Sequence, residues 1–579
     1  MAGGRELDAA RGPAAEQVIC RCLVFALLTL PAMARADSSE SDQITTAKKL
    51  YDEGHWEEAA RIARGSPDQP AELDYIAGMA LARLQRWPEA RESFASGLRK
   101  TPRDKRFLLE LAGVDYKQKD FAAAKRNLHA ALRLDPEDAY AHDFLATLYF
   151  LEGNLEAALK YWNPIGQPRL ASVSFSPPSP LSPALQDRVL AFNVPAVLQR
   201  SALLTTQARL ANLNVFTGNR IELTPQEKGG YDAVVRAPEL AGWNDGILIG
   251  SISLLRGLPY ETIYPEFYNL RGTGTNVLSL ARWDDQKRRF WVSFSSPLRH
   301  NPALRLRVYF DARNENWNLT ETLFASGGLL TNLNLRKLAA GAELRSVVNG
   351  RWAWSGGIEV SDRTFRNLAS VTSSQALRFF SNGASFKSWA RVDRDLLRIP
   401  ERRFTVLSSG EVQVGREFAA GLGAFTTVKG SLRSRWLPQA KDDDYEMNAQ
   451  LRAANTVGTV PFDEFFQLGV ERDNDLWLRG HAGTTDGRKG RAPLGRRYVL
   501  LNWEMDKNVY RGPFFTIKLG PFLDTGAIAD PSGLFGSQRW LWDTGAQCKV
   551  RVLGRVTVVI SYGRDLRGAR NVVYASALQ

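Results

Sequence analysis

The sequence predicts a multidomain protein: an all-α solenoid, a small α/β domain, and a transmembrane antiparallel β-barrel of about 16 strands. Three observations predict this order. Segments near the N-terminus repeat with a period of 34 residues, residues 169–240 alternate strand and helix patterns, and residues 241–579 alternate apolar and polar side chains. The apolar content of 44% is ordinary for a globular protein. A barrel whose strands alternate apolar and polar side chains would also have an ordinary apolar content.

The N-terminus carries the pattern of a secretory signal peptide. Arg21 precedes the apolar run CLVFALLTLP, and the small-residue pattern Ala34-Arg35-Ala36 follows. We predict that residues 1–36 are removed. The only cysteine that then remains is Cys548, so the mature chain forms no intrachain disulfide.

Composition narrows the class of partner. Lys+Arg total 75 and Asp+Glu total 62, which gives a net charge of +13. Export removes the chain from nucleic acid, so we expect the basic side chains to face a barrel lumen or anionic lipid head groups. Because no run approaches the roughly 18 apolar residues of a spanning helix, any membrane crossing must use strands.

The helical array is predicted from in-phase repeats that begin at Ala71, Lys105 and Ala139. Small residues recur at the eighth and twentieth places, where two antiparallel helices approach closely: Gly78, Ala112, Ala146, Ala90, Ala124 and Ala158. Residues 41–165 therefore resemble tetratricopeptide repeats. Such stacked hairpins form a concave groove that usually binds a peptide or protein.

A small α/β domain is predicted at residues 169–240, after a proline-rich break. The order is a strand, two helices, and two strands joined at the turn sequence QEKGG. In the second helix we expect Leu204, Ala208 and Ala211 to form the buried face. A three-stranded sheet with both helices on one face is the simplest packing.

The sequence LANLNVFTGNRIELTPQEKGGYDAVVRAPE resembles a POTRA domain, the periplasmic module of the BamA-type outer-membrane assembly superfamily. The resemblance implies a strand edge to which a client peptide adds by β-augmentation.

Alternation dominates residues 241–579. In FFTIKLG, Phe515, Ile517 and Leu519 alternate with polar or small residues. Strands of this kind suit a half-buried soluble sheet as well as a barrel, but the signal peptide and the lack of cysteines favour the barrel. We expect the first barrel strand near Ile247; its pairing with the last strand, near Val572, is the observation that would show a closed barrel.

Two motifs in this region resemble those of the BamA, or bacterial surface antigen, superfamily. The first is the tetrad Leu478-Arg479-Gly480-His481, followed by a strand that carries Glu504; the second is Phe522-Leu523-Asp524-Thr525-Gly526. The resemblance implies an outer-membrane barrel with periplasmic N-terminal domains. It also implies that the loop bearing Arg479 folds into the lumen, where the arginine engages Asp524.

The chain departs from that family in three ways. His481 stands where relatives carry Phe or Tyr, and the chain ends in Ala577-Leu578-Gln579 rather than in an aromatic residue. The helical array before a single POTRA-like module is also unusual, since relatives commonly string several such modules together.

Catalytic signatures are missing from the sequence. It holds no Gly-x-Ser-x-Gly, Walker or His-Glu-x-x-His motif, and its five histidines are scattered along the chain. We therefore expect no enzymatic activity, no cofactor and no metal site.

Three functions fit these patterns. The first is protein insertion into, or translocation across, the outer membrane, with the repeat groove and the POTRA-like strand edge binding a periplasmic client or partner and the barrel contacting lipid. The second is a polysaccharide export porin scaffolded by the repeats. The third is a helical-repeat adaptor on a passive barrel anchor.

Overall fold

The computed structural model describes residues 30–65, 69–227, 229–240, 242–243, 247–322, 332–368, 377–418, 423–537, 539–554 and 556–578. The chain divides into two compact units, Met1–Leu145 and Ala146–Gln579. The predicted leader 1–36 lies mostly outside the described residues.

Paired helices occupy the described part of residues 30–162. Their bounds are α1 Leu30–Asp52, α2 Trp56–Ala63, α3 Ala71–Arg83, α4 Trp87–Lys100, α5 Lys105–Lys117, α6 Phe121–Leu134, α7 Ala139–Leu151 and α8 Leu155–Trp162. Helices α3, α5 and α7 begin at the three residues from which the repeat was read. Among the helices that the structure describes, none is both long and apolar enough to cross a bilayer.

Large side chains fill the space left by small ones in this array. Phe94 is fully buried, and a methyl group added to Gly78 would lie 2.5 Å from its ring. Phe107 is related to Gly97 in the same way, at 2.2 Å. The close helix packing therefore depends on these glycines having no side chain.

The small α/β domain has the predicted element order, with one addition. Strand β1 is Arg169–Phe175, helix α9 is Pro183–Val189, strand β2 is Ala196–Val197, helix α10 is Arg200–Leu213, and strands β3 and β4 are Arg220–Pro225 and Tyr231–Arg236. The sheet order is β2-β1-β4-β3, with β1 parallel to β4. The two-residue β2 makes four strands where we expected three.

The predicted buried face of α10 is correct at Leu204 and wrong at the two alanines. Leu204 is buried, but Ala208 is only half-buried and Ala211 is exposed. Leu203 and Leu210 are buried instead. The larger leucine side chains bury more apolar surface than alanine, so they determine which face turns inward.

A large antiparallel sheet of fifteen strands follows in the described residues. The strands are β5 Thr262–Ile263 with Glu266–Leu270, β6 Thr275–Trp283, β7 Lys287–Pro297, β8 Leu304–Asn318, β9 Asn332–Asn349, β10 Trp352–Arg366, β11 Gly383–Ile399, β12 Phe404–Glu417, β13 Ala424–Trp436, β14 Tyr445–Gly458, β15 Arg497–Arg511, β16 Phe515–Ala529, β17 Leu541–Val552, β18 Val556–Asp565 and β19 Asn571–Leu578. Each long strand pairs with the next in chain order, and β14 pairs with β15 across the long loop 459–496.

The two faces of this sheet differ in chemistry. On β8, Val308 and Phe310 are about 40% exposed, whereas the intervening Tyr309 and Asp311 bond to groups of other strands. On β16, Phe515 and Leu519 are exposed, and the Lys518 ammonium pairs with Glu446 at 2.9 Å. One face is therefore apolar and exposed, while the other is charged and internally bonded.

The small domain lies against the turns at one end of the sheet, here named the module end. The Asn212 amide donates to the Pro302 carbonyl at 2.9 Å, the Ser182 N–H donates to Gly272 at 2.8 Å, and the Gly350 N–H donates to the Thr205 hydroxyl at 3.0 Å. The loop 459–496 begins at the opposite end, here named the far end.

The expectation that the first barrel strand lies near Ile247 is wrong, since Ile247–Leu255 forms helix α11. The apolar run ILIGSISLL has no period-2 alternation, so strand and helix could not be distinguished from it. The first strand is β5. Near it, the Tyr260 hydroxyl donates to the Ala575 carbonyl of β19 at 3.0 Å.

Candidate functional site

The loop 459–496, here named the interior loop, lies against the charged face of the sheet. It contacts strands from β6 to β19 through these pairs: Asp473–Arg282, Glu471–Lys287, Lys489–Glu315, Asp463–Lys337, Glu464–Lys387, Asp475–Arg452, Arg479–Asp524, Gly480–Asp543 and Trp477–Tyr574. The loop contacts strands near both edges of the sheet because the sheet curves round it.

Arg479 binds the middle of the interior loop to strand β16. Its Nε and Nη2 atoms donate to the two carboxylate oxygens of Asp524 at 2.8 and 2.7 Å, and its backbone N–H donates to Asp524 at 3.0 Å. Its guanidinium carbon lies 3.8 Å from the centre of the Phe522 ring. The arrangement is a bidentate ion pair stacked on an aromatic face, which suits the planar guanidinium.

The pair is buried and its remaining atoms are satisfied. Asp524 is 0% exposed and Arg479 is 5% exposed. Arg479 also donates to Glu504 at 3.0 Å and to Gln547 at 2.8 Å, and the Asn502 amide donates to Asp524 at 2.7 Å. Burial acts to lower the pKa of Arg479, but the bonds to Asp524 outweigh it and raise that pKa above its ordinary value.

The flanking motif residues fix the position of the arginine. Leu478 is fully buried in an apolar cluster with Leu468, Tyr498 and Leu500. Gly480 donates its N–H to Asp543 at 2.6 Å, and a side chain there would lie 2.6 Å from the backbone nitrogen of Asp565. The loop can approach the wall this closely only because residue 480 is glycine.

The second sequence motif lies on strand β16, next to Arg479. Phe522 is 1% exposed and carries Arg479 on its ring. At Gly526 an added methyl group would meet the Val499 carbonyl of β15 at 2.5 Å. The structure thus brings together Leu478, Arg479, Gly480, Phe522, Asp524 and Gly526, the residues of the two sequence motifs.

Two acidic residues at the start of the interior loop form a second anchor. The Lys337 ammonium lies 2.8 Å from Asp463, and the Lys387 ammonium lies 2.8 Å from Glu464. Arg363, itself about 1% exposed, pairs with Asp463 at 2.9 Å. Burial acts to raise the pKa of Glu464, but Lys387 and Lys337 outweigh it and hold that pKa well below its ordinary value.

A third anchor lies further along the loop. Asp473 accepts from Arg282 and Arg289, each at 2.7 Å, and Lys287 lies 3.2 Å from Glu471. Burial acts to raise the pKa of Asp473, but Lys489 and the arginines hold it well below its ordinary value. The basic residues of the wall thus match the acidic residues of the loop.

Aromatic side chains pack around the interior loop at the far end. Phe462 is 1% exposed and its ring contacts those of Phe365, Phe380 and Phe535. Trp317 of β8 packs edge-on against Phe462, with centroids 5.0 Å apart. This cluster and the three ionic anchors hold the loop in one position inside the sheet.

The second and third anchors could not be predicted from the sequence. Their partners are far apart in the chain, and a single sequence has no signal that pairs Glu464 with Lys387. The available hint was the acidic composition of PFDEFF and ERDND in a segment expected to enter a lumen.

Sequence reasoning also expected no metal site, because the histidines are scattered. The structure places His481 beside Asp543 and Asp565, with one possible ligand atom from each within 4.8 Å of the others. The three residues come from a loop and two strands that only the fold brings together.

The repeat residues are all buried where the array was expected. Ala90, Ala112, Ala124, Ala146 and Ala158 are 0% exposed, and Gly78 is buried under Phe94. They are packing residues that leave no functional group at the surface.

No protein-family model and no curated protein matches the sequence. Among solved structures, BamA from Haemophilus ducreyi lacking POTRA domains 1–3 is similar at 10% identity and a TM-score of 0.42, over 71% of this chain and 84% of that one. CdiB from Escherichia coli matches at 15% identity and 0.45, over 71% and 77%. CdiB from Acinetobacter baumannii matches at 11% and 0.41, over 81% and 86%. At TM-scores below 0.5 these likenesses carry no functional argument.

Proposed function

We propose that this protein is an outer-membrane β-barrel that inserts proteins into, or moves them across, the outer membrane of a Gram-negative-type bacterium. In this proposal the N-terminal repeats and the small domain lie in the periplasm and recruit a client or partner. The observation that carries the proposal is the interior loop held by Arg479 on Asp524. The mechanism needs no enzymatic chemistry and no ATP.

The faces of the sheet support a membrane location. Exposed Leu338, Ile358, Val412 and Val428 all lie on the outward face of neighbouring strands. A soluble monomer rarely exposes an apolar surface that extends over so many strands, whereas a bilayer requires one. Strands that close into a barrel satisfy every backbone group in lipid.

The interior loop supports a role beyond passive anchoring. A passive barrel needs only a filled interior, whereas this loop is bound by ion pairs that can exchange for other charged partners. A buried bidentate pair fixes one geometry rather than adding much net stability. We infer that Arg479 fixes the position of the loop while the adjacent strands bind a client protein.

The small domain supplies a strand edge for that client. In the sheet order β2-β1-β4-β3, strand β3 pairs only with β4 among the described strands. An extended segment can therefore add to the free side of Arg220–Pro225 through main-chain hydrogen bonds. Because this domain lies against the module-end turns, a bound segment would be held close to the barrel.

The alternative function, a polysaccharide export porin, is favoured by one cavity at the module end. Its volume is about 560 Å³, and its lining includes six arginines, 305, 345, 351, 391, 394 and 433, against the acids Asp393 and Asp395. Such a lining suits an acidic polymer. The loop and aromatic cluster at the far end oppose this alternative, because a conducting pore would require them to move.

A deletion strain complemented with variants tests the proposal. Outer-membrane and secreted proteins are quantified by mass spectrometry, and surface polysaccharide is quantified in the same cells. We expect the deletion to deplete one protein or a small set, Arg479→Ala to reproduce the depletion, and Arg570→Ala to restore the wild-type pattern. Arg570 is a matched control because its ion pair with Glu321 is exposed.

The other outcomes select the other functions. Loss of a surface polymer with unchanged proteins would replace the proposal with the export porin. Removal of residues 41–165 should narrow the set of clients while leaving part of the activity. If that deletion abolished all activity and Arg479→Ala had no effect, the protein would be a repeat adaptor on a passive anchor.

A further inference from the structure

We propose that His481, Asp543 and Asp565 form a binding site for a divalent transition metal, with Zn²⁺ the best fit. The site would fasten the tip of the interior loop to strands β17 and β18. This inference rests on the side-chain geometry and is independent of the proposed transport function.

The spacing of the three residues suits a metal ion. One possible ligand atom from each lies within 4.8 Å of the others. Zinc binds nitrogen and carboxylate oxygen at about 2.0–2.2 Å in a tetrahedron, which places its ligands about 3.4 Å apart. A small inward movement of the side chains would complete the set, and His481 is the most exposed of the three.

Asp543 carries one buried carboxylate oxygen that has no hydrogen-bond partner. The residue is 0% exposed, and its Oδ2 accepts from the Gly480 N–H at 2.6 Å and lies 3.0 Å from His481 Nδ1. Its Oδ1 is buried and has no hydrogen-bond partner. A buried carboxylate oxygen without a partner is costly, and a bound cation would remove that cost.

The contact to Asp565 points to the same conclusion. His481 Nε2 and Asp565 Oδ2 are 3.7 Å apart, too far for a hydrogen bond. Asp565 Oδ1 accepts from the Arg567 N–H at 2.9 Å, which orients the carboxylate. The 3.7 Å gap is close to the separation of two ligands that share one zinc ion. Because one ion binds only one ring nitrogen, Nε2 is the proposed ligand, and Asp543 has to exchange its present contact with Nδ1 for the metal.

Charge and donor type select the metal. Two carboxylates and a neutral imidazole carry a charge of −2, so a divalent ion makes the cluster neutral inside the sheet. One nitrogen and two oxygen donors suit Zn²⁺ better than Mg²⁺ or Ca²⁺, which prefer oxygen alone. Three protein ligands leave the fourth position of the ion for water.

Zinc titration of the purified full-length protein tests the site. The protein carries a tag without histidine, is freed of metal with a chelator, and is titrated with Zn²⁺ in detergent by calorimetry. We expect one strong site, weakened at least tenfold in His481→Gln, Asp543→Asn and Asp565→Asn. His300→Gln is the matched control, because His300 is exposed in a module-end turn, and should bind zinc as the wild type does.

Cobalt(II) provides a second measurement on the same samples. Its visible d–d absorption reports ligand number and geometry, so the wild type should show a four-coordinate spectrum that His481→Gln loses. Heat-dependent gel migration identifies any variant that has not folded, and His481→Gln leaves the Arg479–Asp524 pair intact. Absence of zinc binding by the folded wild type would overturn the proposal, as would equal binding by wild type and His481→Gln.

Discussion

Replacing Arg479 by alanine should release the interior loop. The substitution removes both side-chain bonds to Asp524 and leaves a carboxylate that is 0% exposed with the Asn502 amide and one backbone N–H as partners. Removing one partner of a buried ion pair costs about 3–5 kcal/mol. Asp524→Asn should cost a similar amount, because the buried guanidinium then loses its bidentate carboxylate and keeps only its contacts to Glu504 and Gln547.

The two substitutions should not be additive. Residues in direct contact show coupling energies of about 0.5–3 kcal/mol, and a bidentate buried pair belongs at the upper end. We therefore expect the double variant to fall at least about 2 kcal/mol short of the sum of the single losses. Arg570→Ala, which breaks a pair that is 63% and 42% exposed, should cost about 0–1 kcal/mol.

The assay is urea-induced unfolding of the full-length protein in detergent, followed by heat-dependent gel migration and tryptophan fluorescence. Additivity of the two losses within about 0.5 kcal/mol would show that the side chains are not coupled. An Arg479→Ala loss no larger than that of Arg570→Ala would also refute the reasoning.

Three further predictions concern other parts of the chain. Gly480→Ala should destabilise the barrel by about 1–3 kcal/mol, since its methyl group would lie 2.6 Å from a backbone nitrogen, while Gly430→Ala, with nothing within 4 Å, should not; equal urea midpoints would contradict this. Phe94→Ala should cost about 3–5 kcal/mol and lower the melting temperature of the helical array by circular dichroism, and an unchanged melting curve would rule out its packing role. The pKa of Glu464 in the folded protein lies well below its ordinary value of 4.5. The Glu464 carboxylate therefore stabilises the fold at pH values above 4.5, and this contribution is lost as the pH falls below 4.5. In Glu464→Gln, which loses the carboxylate that pairs with Lys387, the urea midpoint should fall less between pH 6 and pH 3 than in the wild type, and parallel curves would argue against the pairing.

Local patterns could be predicted from the sequence. Helices α3, α5 and α7 begin at the residues that open each repeat, because small residues and proline recur at fixed places. The order of elements in the small domain also followed from periodicity and turn composition. Both kinds of signal lie within about 35 residues, where sequence spacing and spatial spacing are closely related.

Burial and long-range pairing could not be predicted in the same way. The ILIGSISLL run is apolar at nearly every place, so periodicity could not separate a strand from α11. In α10 the alanines Ala208 and Ala211 have helical spacing, but the larger Leu203 and Leu210 are the residues that are buried. In the sequence His481 is only a smaller side chain in the place of Phe or Tyr, whereas the fold places it between two carboxylates from β17 and β18.

The proposed membrane location requires that β9 and its neighbours turn one face to lipid and the other to a charged interior. Single cysteines placed along β9 in a Cys548→Ser background, labelled with a fluorophore and reconstituted with brominated lipid, test this orientation. We predict strong quenching at the exposed Leu338 and weak quenching at Lys337, whose ammonium lies 2.8 Å from Asp463 of the interior loop. Equal quenching at the two positions, or none at Leu338, would contradict the claim.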